Sequence, residues 1–155
     1  MTLKQITKII IDFFEAHLMV NSVTKHTVKG FIGNRDKVYS VANVEFLDSA
    51  INGKIRTDSF QITLADLLTP TKDNEFDIYS DTIEIAEDFF THLQYNPAFT
   101  FNKSVNSQKF SEEDGDIIAG ITFKISLQTV RPQNECNIPL VEEDNLNHSF
   151  PVPLD

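Results

Sequence analysis

The segment from Gly120 to Val130 constrains the fold more than any other stretch. Ile121, Phe123, Ile125 and Leu127 hold one parity, while Thr122, Lys124, Ser126 and Gln128 hold the other. Successive side chains of a strand point to opposite faces, so this pattern specifies a strand with one buried face and one wet face. Burying those apolar side chains contributes roughly 1.5–3 kcal/mol each before chain entropy is subtracted. Such a strand needs neighbours to pair with and a covering layer for its apolar side.

The covering layer is legible in two helical patterns. Thr2-Leu-Lys-Gln5 is a capping box, after which Leu3, Ile6, Ile10, Phe13, Phe14 and His17 recur at helical spacing. Ile9 and Ile11 widen this stripe, so a second contact is expected, within the fold or with a neighbouring subunit. His17 falls near the helix C-terminus, where a structural role suits an imidazole. The second helix is expected to be capped by Ser80 or Asp81, with Ile83, Ala86, Phe89, Phe90 and Leu93 on its inner face. Asn96-Pro97 stops it, because the residue before proline avoids the helical region.

Between the helices the period changes to two. Residues 21–27 read as a polar linker, Val28–Ile32 as a short strand, and Val38–Phe46 as a second strand. Asp48–Gly53 reads as a turn region carrying the hairpin pair Asn52-Gly53 and leads into a strand over Lys54–Leu64, with Lys54, Arg56 and Asp58 on a solvated or edge-facing flank. Leu67–Asp77 reads as a loop, and Phe99–Phe101 as a short strand that Val105–Phe110 completes or pairs beside.

The chain is thus expected to be α+β, an antiparallel sheet of about four to six strands packed by two helices. Residues 1–130 form a single domain, and 131–155 an extended C-terminal arm interrupted by Pro132, Pro139, Pro151 and Pro153. Ile138, Leu140, Val141, Phe150 and Val152 make that arm too apolar to be idle, and it is expected to dock on its own domain or on a partner.

Composition narrows the chemistry. A net charge of −10 argues against wrapping of nucleic acid, which needs a basic face to release counterions. One cysteine, Cys136, excludes an internal disulfide, and five glycines leave no phosphate-cradling loop. His17, His26, His92 and His148 fall at no metal-ligand spacing. The acidic turn Glu112, Glu113, Asp114 and Asp116 misses the EF-hand spacing and reads as an exposed, like-charged turn. No cofactor and no catalytic residue is expected, nor any membrane span, and the chain should be made in the cytoplasm.

The C-terminal third carries a resemblance. Phe110-Ser-Glu-Glu-Asp-Gly-Asp-Ile-Ile-Ala-Gly120, the alternating strand, and Asn134-Glu-Cys-Asn-Ile-Pro139 follow in an order similar to that in structural proteins of crAss-like Bacteroides phages. The order of helix, three strands, helix and closing strands resembles the tail-completion or tail-terminator fold of tailed bacteriophages. That resemblance implies a virion protein of the neck, or connector, forming a homo-oligomeric ring, sixfold or twelvefold. Portal, ring or tail proteins would be its neighbours, and double-stranded DNA would pass through its channel without specific binding. The surplus residues Ile9, Ile11, Ile138, Leu140, Val141, Phe150 and Val152 are then the candidate assembly contacts. A small acidic cytosolic adaptor or inhibitor that binds a basic protein is the alternative.

Overall fold

Helix α1 (Leu3–Ala16) starts where its sequence says it should. The Gln5 amide donates to the Thr2 hydroxyl at 3.2 Å, and the Thr2 amide donates to the Gln5 side chain at 2.8 Å, so both halves of the capping box form. Ile6, Ile10 and Phe14 are fully buried one turn apart. The computed structural model describes residues 1–27, 38–102, 104–112, 117–132, 136 and 138–140.

Six strands follow among the described residues, with a second helix between the third and fourth. They are β1 (Ser22–Thr24), β2 (Val41–Asn52), β3 (Ile55–Leu67), β4 (Thr100–Phe101), β5 (Ser107–Glu112) and β6 (Ile118–Val130); helix α2 is Glu75–Gln94. They form one open sheet in the order β1-β2-β3-β6-β4, with β5 also on β6. All pairings are antiparallel except β1 on β2. The fold is α+β, two helices packed on a mostly antiparallel six-stranded sheet. The helices share one face: α1 lies over β1 and β2, and α2 over β3, β4 and β6.

The expected strand at Gly120–Val130 is the C-terminal part of β6, and Ile121, Phe123, Ile125 and Leu127 are buried beneath the helices. Its start moves back to Ile118, which places Gly120 inside the strand. There a Cβ would fall on the Leu64 carbonyl oxygen, so glycine is what lets β6 approach β3 this closely. Phenylalanines join the layers: Phe14 and Phe89 rings lie 4.7 Å apart, and Phe90 meets Phe123 edge-on at 5.1 Å.

Four expectations are corrected. Part of the 21–27 linker is strand β1, held by Asn43, whose side chain accepts from the Thr24 hydroxyl (2.7 Å) and the His26 amide (2.9 Å). The strand expected at Val28–Ile32 lies outside the described residues. Asp58 is not on a solvated flank: it is fully buried, accepting from Ser49 Oγ at 2.6 Å and Arg56 Nε at 3.0 Å. Arg56 reaches on to the Met1 carbonyl at 2.8 Å, which ties the start of α1 to the sheet.

The other two corrections concern α2 and β2. Helix α2 begins at Glu75, five residues before the expected caps, and Ile83 is exposed, while Ile78, Thr82 and Ile85 take the inner face. The loop is correspondingly shorter, and the Asn74 side chain serves it, accepting from the Thr69 amide and donating to the Leu67 carbonyl. Strand β2 runs on to Asn52, through residues 48–51 that were expected to begin the turn. Only Gly53, at φ +59°, takes the left-handed conformation that the Asn-Gly pair announces.

Candidate assembly interface

Among the described residues no group of three or more His, Cys, Asp or Glu side chains converges as a metal site would require. His17 is held structurally. Its Nδ1 accepts from the Met19 amide at 3.2 Å, so the neutral ring carries its proton on Nε2 and donates it to Asp88 at 2.8 Å. The His92 ring packs on Phe13 with centroids 5.0 Å apart. Burial, then the hydrogen bond to Glu75, pushes the Tyr79 hydroxyl up to about 12. The hydrogen bond to Asp12, and its charge, raise Lys8 above the usual lysine value.

The structure instead draws attention to strand edges and apolar surface. Most of the outer edge of β6 is covered, by β5 at Ile118–Phe123 and by β4 at Leu127–Gln128. The outer edge of β2 is covered by β1 only at Val41–Asn43; beyond it no described residue pairs with Val44–Asn52 on that side. An extra residue at Leu47 bulges this stretch, shifting which residues face the helices. Phe46, Leu47 and Ile51 stand exposed along it, Ile51 at 61%, and Ile55 and Val130 are exposed near the tip of the β2–β3 hairpin.

A second apolar surface lies at the far end of α1. Phe13, Ala16, Leu18 and Met19 line an open groove of about 450 Å³ whose polar rim is the His17–Asp88 pair, and Leu18 is 97% exposed. A smaller groove on α2 is bordered by Phe76, Tyr79 and Ile83.

The assembly residues expected from sequence are distributed as follows. Ile9 and Ile11 are partly buried against the domain's own core, so much of the widened stripe is used within the fold. Ile138 and Leu140 are exposed, Leu140 at 73%. Val141, Phe150 and Val152 lie outside the described residues. Of the acidic turn, Glu112 ends β5, partly buried, and Glu113, Asp114 and Asp116 lie outside the described residues. Among the described residues, the structure brings none of these sets together.

No protein-family model matches the chain, and no curated protein matches it. The surfaces are therefore weighed on their own chemistry. Sequence reading missed the β2 edge and the Leu18 groove. The signal for the first was present, since apolar and polar residues continue past Phe46 to Ile51 before the Asn-Gly turn. Leu18 gave none, because a leucine after a helix reads equally well as core.

Proposed function

We propose that this chain is a virion structural protein that assembles into a ring in the neck of a tailed phage, between portal and tail, around the DNA channel. The observation that supports the reading best is the inequality of its surfaces. A strand edge at Val44–Asn52 that no described residue pairs with and an apolar groove at Leu18 are different patches, on different elements. Unlike patches favour head-to-tail contacts, and head-to-tail contacts that close generate rings. The net charge of −10 supports a channel past which phosphates slide, because it supplies no counterion release.

Electron microscopy and light scattering of the purified protein, alone and with the portal of its parent virion, test the proposal. Rings, alone or on the portal, and no retention of double-stranded DNA are the expected results. A chain that stays monomeric in both settings, yet binds a basic protein stoichiometrically, overturns it in favour of the adaptor reading.

A further inference from the structure

Among the described residues no strand pairs with the outer edge of Val44–Asn52, where Phe46, Leu47 and Ile51 stand exposed. An open edge of this length invites another strand, and natural sheets blunt such edges unless something pairs with them. The chain itself carries a matching segment. From Leu146 to Leu154 the even positions are Leu146, His148, Phe150, Val152 and Leu154, and the odd positions are Asn147, Ser149, Pro151 and Pro153. This is a period-two pattern with its apolar side chains on one face.

The prolines make the pattern directional. In an extended strand the backbone groups of even residues point to one edge and those of odd residues to the other. Both prolines are odd, so every missing N–H falls on a single edge. The even edge keeps a full set of donors and acceptors, while the odd edge refuses a further strand. A segment built this way can add to a sheet once and stop.

We propose that residues 146–154 of one copy add as a strand to the Val44–Asn52 edge of a second copy. The lengths match: nine residues against nine. Exchange between copies is favoured because the described part of the tail buries little on its own domain, with Ile138 half exposed and Leu140 more so. In this arrangement the arm enters at the tip of the β2–β3 hairpin, where Glu142, Glu143 and Asp144 come beside exposed Lys54, and runs antiparallel to β2. The inference rests on the self-association proposed above and not on its virion setting.

Two proline variants of the full chain test it, because they alter opposite edges of the same segment. His148→Pro removes a donor from the pairing edge and Ser149→Pro removes one from the outer edge. Assembly is followed by light scattering against concentration, and the β2 amides by hydrogen exchange. The parent and Ser149→Pro should assemble alike with Val44–Asn52 protected on assembly; His148→Pro should need about tenfold more protein or stay monomeric. If both variants assemble like the parent, the strand exchange is wrong and the ring reading stands. Protection of the same amides in a monomer, by the cis tail or by residues 28–37, also overturns the exchange. A parent that never assembles, even on the portal, and leaves these amides unprotected overturns both readings.

Discussion

The two outer edges of the β2-β3-β6 ribbon have opposite fates. On the β6 side, β4 and β5 extend the sheet, and after four buried residues the strand keeps alternating between buried and accessible positions to its end. On the β2 side, the first four residues are buried, and from Phe46 onward the strand is exposed while still carrying phenylalanine, leucine and isoleucine. Both strands pair with β3 along nearly their whole length, so pairing does not account for the difference. Edge closure does. A strand flanked on both sides and covered by a helix is committed to the fold, whereas a half-flanked one keeps its backbone and apolar side chains available.

This contrast can be broken from the closed side first. Phe123→Asp places an unpaired charge beneath α2 and should abolish soluble folding; a normal thermal melt would contradict the committed role of β6. Gly120→Ala forces β6 and β3 apart at the Leu64 carbonyl and should cost about 1–3 kcal/mol in urea unfolding. Tyr79 offers a milder probe of the packing between α2 and β5. Its hydroxyl ionises near 10 in an unfolded chain and near 12 in the fold, so the native state holds the proton more tightly. Stability is therefore retained below about 10 and falls as pH rises from about 10 towards 12, a loss that Tyr79→Phe should remove in alkaline melts. The smallest effect belongs to the open side. Ile51→Lys should shift monomer stability by only about 0.5 kcal/mol or less, yet weaken assembly in light scattering. A large loss of monomer stability would show that this edge, too, is committed.

Features set by neighbouring residues were legible in the sequence. Thr2 and Gln5 sit three residues apart, Asn52 adjoins Gly53, and Ile121 to Leu127 alternate; each acts over a few residues and each appears as read. Features set by distant partners were not. Asp58 looks solvated until Ser49 and Arg56 are seen to enclose it, and Asn43 looks like an ordinary strand polar residue until the turn at His26 folds onto it. The start of α2 was hidden because the Asn74 side chain is engaged with the preceding loop and makes no capping bond. Ser80 and Asp81, good caps by type, are exposed interior residues of the helix. For the proposed assembly surface, the sequence offers an apolar tail but not the edge proposed to receive it, because such an edge exists only once the strand order is known.

One small contact governs geometry at a larger scale. The Arg131 amide donates to the Lys54 carbonyl at 2.7 Å, and its guanidinium to the Gly53 carbonyl at 2.9 Å, so the chain is pinned to the hairpin tip where it leaves β6. In the exchange proposed above, the residues between that pin and Leu146 act as the tether. Between Arg131 and Leu146 there are fifteen steps of chain, which fully extended reach about 50 Å. In an assembly of exchanged strands, that reach caps the gap between one copy's tip and the next copy's edge. Lengthening or shortening the tether would then retune the spacing of neighbours without altering a single side chain of the core.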